Sequence, residues 1–153
     1  MSTPDNHTFS LKEVRLYNIR LLILYLSIRY KVFIKEYQRK ITDEFCLKDI
    51  KAKHYIFSIG IKHLGIVRIL YRSNVAELGR MAIIKGYRNS GYGSEFINQI
   101  IGNIRDNCKV ELISLYTLDN SLISFYKKFG FIENGEVFFD NLPYMNMIKS
   151  FKR

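Results

Sequence analysis

Glu77-Leu78-Gly79-Arg80-Met81-Ala82-Ile83-Ile84-Lys85-Gly86-Tyr87-Arg88-Asn89-Ser90-Gly91-Tyr92-Gly93-Ser94 is the stretch that decides the fold. Its first part, Ala76 to Ile84, is short, apolar and free of proline, which predicts a strand. A glycine-bearing loop follows over Gly86 to Gly93. Glycine adopts backbone angles barred to other residues and lets the main chain approach a ligand closely. Beyond the loop, Ser94 to Arg105 carries Phe96, Ile97, Ile100, Ile101 and Ile104 at helical spacing. A helix start presents unpaired N–H groups and a partial positive charge. Strand, loop and helix together therefore predict a cradle for a pyrophosphate, with Arg88 adding a charged contact. Two other phosphate loops do not match. A Walker loop ends in Gly-Lys-Ser/Thr, and the dinucleotide fingerprint needs three spaced glycines.

Working outward, residues 9–15 predict a short strand. Leu16 to Lys35 lacks Gly and Pro and places Leu16, Ile19, Ile23, Leu26, Tyr30 and Phe33 at helical spacing, a long helix with that stripe toward the core. Tyr37 to Lys53 is polar and predicts a loop with one helical turn. His54 to Ile59 and Lys62 to Tyr71 predict strands around a turn at Gly60 and Ile61, and Arg72 to Asn74 a further turn. Val110 to Tyr116 predicts a strand. Asp119 or Ser121 can cap a helix reaching Phe129, with Gly130 at its end. Val137 to Asp140 and Tyr144 to Lys149 predict two closing strands joined through Asn141-Leu142-Pro143. The order gives one α/β (α+β) domain over residues 1–153, built on a mixed, mostly antiparallel sheet flanked by helices.

The composition agrees with one soluble domain. The chain has 153 residues, 48% of them hydrophobic and 25% charged, which argues against disorder. Its formal net charge of +10 favours an anionic partner without choosing one. The most apolar run, Leu21 to Ile28, is far short of the roughly 20 residues of a membrane span. Met1 to Ser10 lacks the apolar segment of a signal peptide. Cys46 and Cys108 form no paired motif and predict two reduced thiols in a cytoplasmic protein. No metal site is expected.

The loop resembles the Arg/Gln-x-x-Gly-x-Gly/Ala motif of the GNAT N-acetyltransferases. Glu77 to Ile83 is similar to that family's fourth strand. Phe125-Tyr126-Lys127-Lys128-Phe129-Gly130-Phe131 is similar to its late helix and the Gly-Phe that follows. The resemblance implies a GNAT-like domain that takes acetyl-CoA, or another acyl-CoA, as co-substrate and acylates an amine of a small molecule or peptide. By position, Ala82 and Ile83 would hold the pantetheine arm through their backbones. Arg88, Asn89, Ser90, Gly91, Tyr92, Gly93 and Ser94 would hold the pyrophosphate. Asn120 stands next to the family's asparagine position, which Asp119 fills here. Tyr126 would act as general acid toward the departing thiolate, a role suited to a phenol that is neutral at pH 7. Many relatives dimerise through the late strands, so a homodimer is a further expectation.

Residues 32–38, 43–55 and 135–147 are similar to small bacterial predicted acyltransferases, although Tyr144 stands where those have histidine. Amine attack on a thioester requires a base or a water relay. Glu77 is the first candidate, with an ion pair to Arg68 or Arg80 as its structural alternative. Glu36 and His54 follow. Glu77-x-x-Arg80 after Gly65-Ile66-Val67-Arg68 also resembles the acyl-homoserine-lactone synthases, which imply an acidic acyl carrier protein as donor. That group's N-terminal tryptophans are missing. A basic nucleic-acid-binding module is a separate alternative, disfavoured by the spread of the basic residues along the chain. For the acceptor, Glu36, Asp43, Glu44 and Asp49 would favour polyamines only if they gathered into an acidic pocket.

Overall fold

The computed structural model describes residues 8–106 and 109–151. Cys108 lies outside the described residues, as do Met1 to His7.

Seven strands form one sheet in the order β1-β2-β3-β4-β5-β7-β6. β1 (Phe9–Val14), β2 (Lys53–Ile59), β3 (Lys62–Arg72) and β4 (Val75–Ile83) form an antiparallel meander. β4 and β5 (Leu112–Thr117) are parallel, linked by α4 (Tyr92–Arg105). A parallel pair needs such a crossover helix. β7 (Leu142–Ser150) lies between β5 and the edge strand β6 (Ile132–Phe139), antiparallel to both. Both closing strands run longer than their sequences predict. Asp140 and Asn141 take positive φ of 50° and 64°, a tight hairpin turn suited to asparagine and aspartate. Pro143 therefore sits inside β7, beyond the β5 pairing, which ends at Met145.

Two apolar layers cover the sheet. On one face α4 and α5 (Asn120–Lys127) pack over Phe57, Leu64, Leu78, Ile113 and Leu115, with Phe96 stacked 4.6 Å from Phe57. On the other, α1 (Ile19–Arg29) covers Val14, Ile56, Ile66 and Ala82. α1 does not continue as one α-helix. A π-helical segment, Tyr30–Glu36, takes over, and the shift of bonding partner re-aims the last turns. The predicted core stripe is corrected as well. Ile19, Ile23, Leu26 and Tyr30 are exposed, while Tyr25, Ile28, Val32 and Phe33 face the sheet. Leu16 precedes the helix and is exposed too. The predicted loop of residues 37–53 holds two short helices, α2 (Ile41–Glu44) and α3 (Lys48–Lys51). Among the described residues no helix is long and apolar enough to cross a membrane.

Candidate active site

β4 and β5 pair only from Val75–Leu112 to Glu77–Ser114. Beyond that, β4 runs on to Ile83 and β5 to Thr117 without pairing, so they form the two sides of an opening. Ligands of parallel sheets sit at the carboxyl ends of strands that part in this way.

One inserted residue shapes the β4 side. Arg68 of β3 faces Gly79 and Ile66 faces Ala82, so three steps on β4 span two on β3. The extra residue is Arg80, at φ 53°, and such a bulge bends its strand and re-aims a side chain. Arg80 is turned to the α1 face, where its Nε lies 2.9 Å from Glu44 Oε2 and its Nη2 donates to the Asp43 carbonyl at 3.1 Å. A Cβ at Gly79 beside it would lie 2.9 Å from Arg68 Nη2, so a larger residue there would have to displace that guanidinium.

Above the bulge, the Ile84 N–H donates to the Leu64 carbonyl at 2.8 Å. Backbone groups alternate sides along a strand, so the amide groups of Ile83 face the opening and those of Ala82 face β3. A 3₁₀ turn, Lys85–Tyr87, leads into the loop. α4 begins at Tyr92, two residues earlier than predicted. Gly91 is its N-cap at φ 80°, and no side chain caps it. A left-handed residue there suits glycine and leaves the first N–H groups of the helix for an external acceptor. The loop fits a pyrophosphate on those grounds.

The Arg88 side chain has other partners. Its Nε donates to the Ile83 carbonyl at 2.8 Å, and its two terminal nitrogens donate to both carboxylate oxygens of Glu36. The hydrogen bond from Arg88 is the main reason the Glu36 carboxyl lies below the usual range. Arg88 thus ties the phosphate loop to the β4 edge and to the π segment. Ser90 is exposed, with its hydroxyl 3.4 Å from the Arg88 carbonyl. Asn89 takes φ 60°, and Ser94 N–H donates to the Gly91 carbonyl. The Tyr92 ring packs edge-on against Tyr87 and Phe9.

Across the opening, Asp119 caps α5 by accepting from the Ser121 N–H at 2.7 Å. Asn120 is the exposed first residue of that helix, on the same carboxyl-end rim as the loop after β4. Further along the same helix, Tyr126 is 8% exposed and its hydroxyl points at Met81 Sδ, 3.7 Å away. Burial pushes the phenol up to about 12. Glu77 lies at the narrow end, level with Ser114. It is 3.8 Å from Lys48 Nζ, and it pairs with neither Arg68 nor Arg80.

Of the other acidic candidates, Glu44 and Asp49 are bound to arginines, while the exposed Asp43 carboxylate meets only the Thr42 hydroxyl, at 3.4 Å. Glu44 is fully buried and meets Arg29 Nε at 2.7 Å in addition to Arg80. Asp49 accepts from Arg29 at 3.0 Å and from Arg68 at 2.9 Å. Burial opposes the Asp49 charge, but the bonds from Arg29, the Cys46 amide and Arg68 hold its carboxyl below the ordinary range. His54 bridges the Tyr25 hydroxyl at 2.9 Å and the Asp49 carbonyl at 2.8 Å. A carbonyl only accepts, so Nε2 carries the proton and Nδ1 accepts from Tyr25. His54 is thereby a structural residue, not a base facing the opening. The condition set for a polyamine pocket, four free acids gathered together, is not met, since Glu36, Glu44 and Asp49 are each paired with arginine.

Sequence reasoning missed one polar group at the narrow end. Asn146 is buried and donates to Ser114 Oγ at 2.9 Å and to the Leu115 carbonyl at 3.1 Å, while Asn134 donates to its side-chain oxygen at 2.8 Å. An asparagine flanked by methionines in β7 carries no signal of burial until the partner strand is known.

Comparison with known proteins agrees with this geometry. Residues 51–133 match the family model of the acetyltransferase (GNAT) domain. A Bacillus subtilis subsp. natto (strain BEST195) protein named "Probable spermine N(1)-acetyltransferase" is 28% identical over 109 residues, 62% of this chain and 72% of its own. Escherichia coli ElaA shares the fold at TM-score 0.78 and 19% identity, over 94% of this chain and 100% of that one. Vibrio cholerae spermidine N-acetyltransferase, solved with CoA and spermine, does so at TM-score 0.70 and 15% identity, over 95% and 96% of the two chains. With more than half of its residues matched by the family model, and with strands that part beside an uncapped helix start, the chain belongs to the GNAT acetyltransferase family and is an acyl-CoA-dependent N-acetyltransferase.

Proposed function

We propose that this enzyme transfers the acetyl group of acetyl-CoA to a primary amine of a small molecule or peptide, with the loop of residues 88–94 on the donor's phosphates and Tyr126 at its sulfur. The observation that carries this reading is the Tyr126 hydroxyl beside Met81, within the same opening that ends at the Gly91 helix start. When bound, acetyl-CoA supplies an activated acyl thioester. The cleft-facing N–H of Ile83 is suited to pantetheine, its carbonyl being engaged by Arg88, and Ala82, turned toward β3, positions it. The N–H groups of Tyr92 and Gly93 at the α4 start are suited to the pyrophosphate, with Asn89, Ser90 and Ser94 shaping the loop and Arg88 bracing it from behind. Asn120 is placed to reach the donor from the α5 side.

Tyr126 stays protonated at neutral pH. Its hydroxyl, at about 12, is a weaker acid than a thiol at about 8.5. Its role is therefore to donate a hydrogen bond to the sulfur as charge develops there, rather than to deliver its proton outright. Glu77 takes the proton of the attacking amine through water, from the narrow end. The name of the Bacillus relative also points to an amine acceptor. Tyr126→Phe tests the assignment. Loss of a hydrogen bond to a charged group, about 1.5–3 kcal/mol, corresponds to kcat falling about 10- to 150-fold with acetyl-CoA affinity unchanged. A variant with full kcat refutes it.

A further inference from the structure

We infer that the acceptor is a small primary amine that also carries a carboxylate, docked by Arg39 and Arg80 beside Phe33; this rests on the acetyltransferase reading above.

With the donor's phosphates proposed at the α4 start and its sulfur at Tyr126, the face left for the acceptor is that of α1, near the bulge. Three of the four carboxylates on α2, α3 and the π segment are already held by arginines, and the fourth, Asp43, is exposed and has no ion pair among the described residues. Glu36 is held by Arg88, Glu44 by Arg29 and Arg80, and Asp49 by Arg29 and Arg68. Glu77 has Lys48 nearby. Only the exposed Asp43 is left, too few for the second and third ammonium groups of a polycation.

The unmatched charge has the opposite sign. Two guanidinium groups converge on one ring, Arg39 at 5.9 Å and Arg80 at 6.0 Å from the Phe33 centroid. Arg80 shares its single carboxylate, Glu44, with Arg29. Arg39 has no ion pair among the described residues. Its backbone N–H donates to the Phe33 carbonyl at 2.9 Å, which fixes the chain there. Arginine's planar fork matches a carboxylate. Arg80 immediately precedes Met81 in β4, and Met81 touches the Tyr126 hydroxyl. A carboxylate held at Arg39 and Arg80 therefore leaves the amine of a compact molecule on the side of the opening.

The test compares matched acceptors that differ only in the carboxylate: phenylalanine with phenethylamine, leucine with isoamylamine, and lysine with cadaverine, with spermidine as a polycation. Acetyl-CoA binding is measured separately by calorimetry. The expected result is a kcat/KM at least tenfold higher for the carboxylated member of a pair. Arg39→Gln should remove that preference without weakening acetyl-CoA binding, and Arg39→Lys should restore part of it. Equal or better turnover of the bare amines or spermidine overturns the inference, as does an unchanged preference in Arg39→Gln. Acetyl-CoA binding with no acetylation of any carboxylated acceptor also overturns it, and leaves the acetyltransferase reading standing. Failure to bind acetyl-CoA brings down both.

Discussion

Replacing Glu44 by glutamine should destabilise the protein severely, although the change is nearly isosteric. Glu44 is 0% exposed and its two oxygens face Arg29 at 2.7 Å and Arg80 at 2.9 Å. Removing one partner of a buried ion pair costs about 3–5 kcal/mol, because the remaining charge is left uncompensated. Two features place this case at the lower end. Arg29 keeps Asp49, and the Arg80 side chain is 19% exposed and can draw on water. The expected loss is about 3 kcal/mol, or a fall in Tm of about 6–12 °C for a domain of this size. Urea unfolding at pH 7 with a parallel calorimetric scan measures it. Lys127→Gln, in an exposed pair with Glu133, should cost under about 0.5 kcal/mol. Adding Arg80→Met to Glu44→Gln should recover part of the loss, since it removes the stranded charge. A loss below about 1 kcal/mol in Glu44→Gln, or a larger loss in the double variant, refutes the claim that this cluster is electrostatically coupled.

Other outcomes follow from the same contacts. Gly91→Ala should cost about 1–2 kcal/mol, since an L side chain is strained at φ 80°, and should weaken acetyl-CoA binding; Gly86→Ala, with open space around it, should do neither. Glu36→Gln should raise the KM for acetyl-CoA severalfold by releasing Arg88 from its brace. In an Arg88→Met background it should add nothing, and additive effects in that double-mutant cycle would exclude the brace. Burial holds the His54 imidazole below its ordinary value near 6.5. The unfolded chain therefore binds the proton first, so His54 contributes full stability above about pH 6.5 and loses it as the pH falls below that. His54→Gln should flatten stability against pH below about 6.5, and an unchanged slope would count against the assignment.

Most of the strand, loop and helix after β3 and the start of α5 is legible because its signals are local. The Gly91-Tyr92-Gly93 spacing, the apolar period from Phe96 to Ile104 and the Asp119 cap each act within one turn of chain. The α1 face is not, because it depends on which of several equivalent patterns meets a partner. α1 carries apolar residues on nearly every side, so its period does not say which stripe faces the sheet. Glu44 and Asp49 look like any surface acids until Arg29, Arg68 and Arg80 arrive from α1, β3 and β4. Arg88 fits a phosphate contact by its place in the loop, and only the long-range meeting with Glu36 redirects it. The inner half of β6 was missed because Asn134 and Gly135 look like a turn, whereas the register shift between Glu133 and Glu136 accommodates them within the strand.

Arg80 gives β4 a peculiar mutational property. Leu78, Met81 and Ile83 lie against the α4 layer, while Gly79 meets Arg68 and Ala82 joins the α1 layer. With Arg80 struck out, Leu78-Gly79-Met81-Ala82-Ile83 alternates between the two faces without interruption. Loss of that one codon would therefore leave a well-formed regular strand with every neighbour on its proper side. Loss of almost any other codon in β4 would put apolar and polar residues on the wrong faces. A single-codon deletion could thus separate foldability from catalysis here, yielding a sheet that assembles while lacking the bend at the bulge and the guanidinium beside Phe33.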